Sequence, residues 1–152
     1  TNEVIYAFVI TRNREIHEAF LAAGAHIVET NTFNGTRYSQ SDYGTEEYTY
    51  EINKAAAENA RRACNKYDNP RYPRFVAGSL GPTSKTLSIS PRIEDPAFRD
   101  IDFDGLVDAY TEAVRGLVDG GSDLLIVETI FDTLNCKAAI FAIKRYFARE
   151  VV

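Results

Sequence analysis

The sequence predicts an α/β fold of three repeated β/α units with parallel strands, on three observations. Strand-like runs start at a regular spacing, at Ala25 (AHIVETNTF), Phe75 (FVAGSLGPT) and Asp123 (DLLIVET). One helical pattern separates each run from the next, as in chained β/α units. Each run also ends in polar residues, and in such units the strand ends gather on one rim, where buried strands hold side chains rigidly. The tails Thr30-Asn31-Thr32, Gly81-Pro82-Thr83 and Glu128-Thr129 are therefore expected to converge on one face. That face is where function is expected.

Residues 4–10, VIYAFVI, read as a strand or a covering segment. A first helix is expected over Asn13–Ala23, capped by Thr11, followed by Gly24 at C′, and striped by Ile16, Phe20 and Ala23. The second spans Glu46–Tyr67, with Tyr48, Ile52, Ala55, Asn59 and Ala63 at helical spacing. The third follows Asp102, sets Leu106, Tyr110, Ala113 and Leu117 on one face, and stops at Gly120-Gly121. The fourth follows Asp132 and carries Leu134, Ala138 and Phe141 beside Ile140, Ile143 and Phe147. Its apolar surface is wide enough to expect cover on both flanks. Arg12, Arg14, Arg61 and Arg62 read as solvated helix faces. Helix-to-strand connections are short, whereas two strand-to-helix connections, 34–45 and 81–101, are long and lack periodicity. Such loops are usually functional or disordered, and both fall on the polar rim.

A net charge of −5 with acids and bases interspersed argues against a nucleic-acid surface or a polybasic membrane patch. No apolar run reaches the roughly 18 residues of a membrane span. No basic region precedes residues 4–10 and no cleavage site follows. Cys64 and Cys136 fall in helical patterns and read as reduced thiols of a cytoplasmic protein. The chain contains no methionine, so Thr1 is not read as a translation start. Glu150-Val151-Val152 resembles the opening of a fourth strand. The 152 residues are thus expected to be a segment of a longer polypeptide and part of a single domain.

Glu128 is the foremost candidate for chemistry. It follows four consecutive apolar residues, which fix its carboxylate at the mouth of a buried strand. There it could pair with a substrate ammonium group or act as a general base; the alternative is a cap or a partner for an arginine. Thr30, Asn31 and Thr32 offer donors and acceptors for a carboxylate or amino group, or serve turn backbone. Gly81, within GSLGP, allows close approach to a ligand or simply a tight turn. His17 and His26 have no second ligand at helical or strand spacing, and the cysteines form no CxxC or Cys/His zinc pattern. No phosphate loop, dinucleotide fingerprint or nucleophile elbow occurs. A doubly wound nucleotide-binding domain would need a glycine-rich first turn, and there is none.

Five segments carry a family resemblance: ETNTFN at 29–34, YEINKAA at 50–56, VAGSLGPT at 76–83, SISP at 88–91 with DPAFR at 95–99, and VETIFDTLN at 127–135. They resemble the homocysteine-binding domain of cobalamin-dependent methionine synthase over about residues 11–149. The SISP…DPAFR loop points to that branch over the betaine and S-methylmethionine branches of the homocysteine methyltransferases. The resemblance implies a (β/α)8 TIM barrel, of which this chain is part, missing the first strand and the later strands; a complete barrel needs roughly 250 residues. It also implies a zinc ion on three cysteines that stabilises the homocysteine thiolate. Methylcobalamin on a separate domain of the same protein supplies the methyl group, and a folate-binding domain recharges it. Glu128 matches the strand-end glutamate that holds the homocysteine amino group. Thr30, Asn31 and Thr32 match the lining of the same pocket, with Gly81 beside them.

The family's Asn-Cys and Gly-Cys-Cys-Gly zinc elements belong to later strands that this chain lacks, and its one Asn-Cys pair, Asn135-Cys136, falls in a helical pattern. Its expected share is therefore substrate-binding, with no catalytic residue and no zinc ligand, and alone it is expected to be inactive. Unpaired sheet edges would favour self-association. The competing readings are a non-catalytic β/α fragment or binding module, or a homocysteine methyltransferase using betaine or S-methylmethionine.

Overall fold

The computed structural model describes residues 2–150. Its strands are β1 (Ile27–Glu29), β2 (Phe75–Leu80) and β3 (Leu124–Val127). Its helices are α1 (Asn2–Ala22), α2 (Arg37–Gln40), α3 (Thr49–Tyr67), α4 (Phe103–Asp119) and α5 (Thr133–Glu150). The strands form one parallel sheet in the order β1-β2-β3, with Val28 opposite Val76 and Ser79 opposite Ile126. This is the predicted α/β arrangement, each strand joined to the next through a helix. Among the described residues no helix is long and apolar enough to cross a membrane.

Side chains alternate across a strand, and the two sheet faces differ accordingly. Val28 and Val76 are buried with Leu21, Ala60, Ala63 and Cys64. Leu80 is buried with Leu106, Tyr110, Ala113 and Leu117, the stripe expected for α4. The alternate residues Ile27 and Glu29, Phe75, Ala77 and Ser79, and Leu124, Ile126 and Glu128 share the other face. There the strand starts expose Ile27, Phe75 and Leu124, and polar groups follow at the strand ends. The polar rim thus crowns an otherwise apolar sheet face.

Helix α3 meets α4 through small residues. A Cβ on Gly116 would lie 2.6 Å from the Tyr50 carbonyl oxygen and 2.9 Å from Asn53 Cβ. Of the stripe expected for α3, Asn59 and Ala63 are buried but Tyr48, Ile52 and Ala55 are not; Asn53, Ala57, Ala60 and Cys64 join them on the buried face, because only short side chains fit at this separation. Asn53 donates to the Gly35 and Thr49 carbonyls at 2.6 and 2.7 Å. Gly116→Ala is expected to destabilise by about 1–3 kcal/mol through overpacking, read as a lower urea midpoint. An unchanged midpoint would mean that the two helices part without cost.

Several expectations are corrected. Helix α1 begins at Asn2, so Thr11 lies inside it and residues 4–10 are helical; no Gly or Pro interrupts 2–12. Its stripe Ile16 and Phe20 is 47% and 61% exposed, and the face turned inward carries His17 and Leu21. The 34–45 loop has structure of its own, in α2 and a 3₁₀ turn at Ser41–Tyr43. A second turn, Glu46–Tyr48, precedes α3. Helix α5 buries Asn135, Ala138, Ala139 and Ala142, while Leu134, Ile140, Phe141 and Phe147 stay exposed. Cover is therefore found on one flank among the described residues. Glu150 closes α5 instead of opening a strand; Val151 and Val152 lie outside the described residues. Arg61 is not a solvated face: it donates to the Gly121 carbonyl at 2.9 Å and pairs with Asp123, tying α3 to the start of β3. Asp123 in turn accepts from the Val76 amide at 2.7 Å.

Candidate functional site

The polar strand ends meet around Ser79, which is fully buried in the central strand. The Ser79 amide donates to Thr30 Oγ1 at 2.9 Å, and Thr32 Oγ1 donates to the Ser79 carbonyl at 2.7 Å. The two threonine hydroxyls lie 2.6 Å apart. A hydroxyl carries one proton. Thr32 spends its own on Ser79, so Thr30 must donate to Thr32, and the ring closes with every proton placed. Thr30 is itself held to β2, its amide donating to the Ala77 carbonyl at 2.9 Å.

From this clamp Ser79 Oγ donates to Glu128 Oε1. The Glu128 amide donates to the Leu80 carbonyl at 3.1 Å, extending the β2–β3 pairing by one residue. Thr129 then turns the chain away with φ of 51°, a left-handed conformation that is costly for a β-branched residue. Such outliers collect where the surrounding structure over-determines the backbone, often at functional sites.

Glu29 completes the cluster. Its hydrogen bond with Glu128, then burial, raise its carboxyl above the usual range, with Ser79 opposing. The same bond, then that from Ser79, hold Glu128 below that range against a smaller desolvation, with Thr129 adding least. The two carboxyls are thus pushed apart in their tendency to ionise, with Glu128 the more readily anionic of the pair. An oriented, half-buried carboxylate of this kind can take an ammonium group through a charge-assisted hydrogen bond.

Thr30, Thr32 and Glu128 are thus brought together, through a serine. Asn31 is exposed and lines a groove of about 410 Å³ beside β1 with Glu29, His17, Phe20 and Ile27. Gly81 is buried: a Cβ there would overlap the Phe33 carbonyl oxygen, and its own carbonyl accepts from Tyr110 Oη at 3.0 Å. Its bareness lets Phe33 cross the strand end.

The two long loops border this rim and meet each other at a cavity of about 170 Å³ lined by Asn34, Ser39, Tyr43, Pro82 and Thr83. Asp132, only 3% exposed, anchors the 81–101 loop. Its Oδ2 accepts from the Leu87 and Ser88 amides at 2.9 and 2.7 Å. Its Oδ1 accepts from Ser88 Oγ at 2.7 Å and from the Leu134 amide at 2.9 Å, capping α5.

The soft donors do not assemble a metal site. Cys64 is buried on α3 with Sγ on the Phe75 carbonyl at 3.6 Å, and burial pushes its thiol pKa up, against metal binding. Cys136 lies on α5, and His17 Nε2 is buried on α1, where burial lowers the imidazole pKa. Among the described residues no three His, Cys, Asp or Glu side chains converge on a metal position. These donors do not fit a zinc centre.

Sequence reasoning missed Glu29 and Ser79 as partners of Glu128, and Asp132 as more than a helix start. The available signal was alternation: Ser79 shares a strand face with Glu128 once the register is known.

Residues 11–151 match the family model for homocysteine S-methyltransferase. The metallated form of homocysteine methyltransferase MmuM from Escherichia coli is 26% identical, with a TM-score of 0.70 over 88% of this chain and 47% of that one. The oxidized form of the same protein has a TM-score of 0.72 at 24% identity, over 94% of this chain and 51% of that one, a likeness of fold. The chain therefore spans about half the length of these structures, and its three parallel β/α units are a partial barrel of the same kind. It belongs to the homocysteine S-methyltransferase family.

Proposed function

We propose that this chain is the part of a cobalamin-dependent methionine synthase that contributes the amino-acid side of the homocysteine pocket. Glu128 takes the substrate ammonium group, Thr30 and Thr32 hold the strand end behind it, Asn31 faces the neighbouring groove beside β1, and Gly81 supports the rim from beneath Phe33. The observation that carries this reading is Glu128 itself, an oriented anion at a strand end in a homocysteine S-methyltransferase chain. The SISP…DPAFR loop, fastened over the same rim by Asp132, favours the cobalamin branch. Zinc and cobalamin would then be held outside this chain, on other parts of a cytoplasmic protein that includes methylcobalamin- and folate-binding domains.

The full-length, zinc-loaded protein is to be assayed with homocysteine and three methyl donors in turn. Transfer from methylcobalamin is expected. Transfer from betaine or S-methylmethionine alone would reassign the branch, and none from any donor would favour a non-catalytic binding module.

A further inference from the structure

The Thr30–Thr32–Ser79 ring is elaborate for a strand end that only needs to stop. Neither threonine hydroxyl has a proton left for a ligand, and the ring fixes both the amide and the carbonyl of one residue, Ser79. The single group of Ser79 not spent on the ring is its hydroxyl, and that donates to Glu128 Oε1. Two carboxyls, Glu29 and Glu128, stand within reach of it, and the hydroxyl proton selects Glu128. We propose that Ser79 is a positioning residue for substrate: it holds Glu128 oriented to receive the ammonium group, and the threonine clamp serves to hold Ser79. This deepens the role given to Glu128 above and rests on it.

The geometry has a functional consequence. A carboxylate on a rotatable side chain loses orientation unless a fixed donor holds one oxygen, and an oxygen so held leaves the second free for ligand. Ser79 is on the central strand and has no freedom of its own, so it transmits the rigidity of the sheet to Glu128. It touches no reacting atom, and its loss should weaken substrate binding more than turnover.

The test is a double-mutant cycle in the full-length enzyme, read as homocysteine KM and kcat against pH. Ser79→Ala is expected to raise KM by about 5- to 20-fold, less than the full loss of a hydrogen bond to a charged group because the Glu128 carboxylate itself remains, with kcat falling less than KM rises. The acid limb of the KM profile should move to higher pH, because Glu128 loses a donor that favours its anion. In a Glu128→Gln background Ser79→Ala should add little, since the carboxylate it serves is gone. Ser79→Cys, of similar volume with a weaker donor, should fall between wild type and Ser79→Ala, and it stands in for Ser79→Ala should that variant not fold. Equal, additive KM increases in both backgrounds, or an unmoved acid limb, would overturn the positioning role and leave Glu128 as ligand. An unchanged KM in Glu128→Gln would instead remove the reading on which the role depends.

Discussion

Glu128→Gln in the full-length enzyme is expected to raise the homocysteine KM by roughly 10- to 150-fold, the equivalent of about 1.5–3 kcal/mol for one charged hydrogen bond. Glutamine keeps the shape, and its amide oxygen can still accept the Ser79 hydroxyl that now reaches Oε1. What disappears is the charge facing the ammonium group. The change should therefore appear mainly in KM. A folded variant with wild-type KM would separate Glu128 from the substrate.

The largest effect on stability is expected at Asp132. Its two oxygens accept from Leu87, Ser88 and Leu134 amides and from the Ser88 hydroxyl. An asparagine side chain would put an NH₂ group among these donors, so Asp132→Asn should cost about 2–4 kcal/mol and speed hydrogen exchange at Leu87 and Ser88. Burial by itself would raise the Asp132 carboxyl, but the bonds from Ser88, Leu134 and Asn135 outweigh it and hold the group below its usual 3.8. A depressed carboxyl contributes its full stability above the unfolded value and loses it as pH falls through the folded one. Denaturation midpoints of wild type and variant should thus differ most above pH 3.8 and converge below it. A constant gap down to strongly acid pH would show that the charge is not what fastens the loop.

The strands were legible because each is a short apolar run with nowhere to go but a buried sheet, and because helices intervene at even intervals. Glu128 was legible for the same reason: a carboxylate directly after Leu124–Val127 has its position set by the strand. Ser79 and Glu29 were not, since their partnership with Glu128 crosses three strands and exists only in the register of Ser79 with Ile126 and Glu29 with Ala77. The hydroxyls of Thr30 and Thr32 could be seen as available chemistry, but only coordinates show that their protons are already spent. On α1, periodicity marked Ile16 and Phe20 as the face to bury, and packing instead chose His17 and Leu21. Two adjoining apolar stripes look alike in sequence, and what decides between them is the neighbour each one meets.

The most direct measurement is the structure of the full-length protein with homocysteine bound. The account predicts the ammonium nitrogen about 2.7–2.9 Å from Glu128, as in a charge-assisted hydrogen bond, with Ser79 Oγ still donating to the other carboxylate oxygen. An ammonium group bound elsewhere, with Glu128 turned away from the ligand, would contradict it.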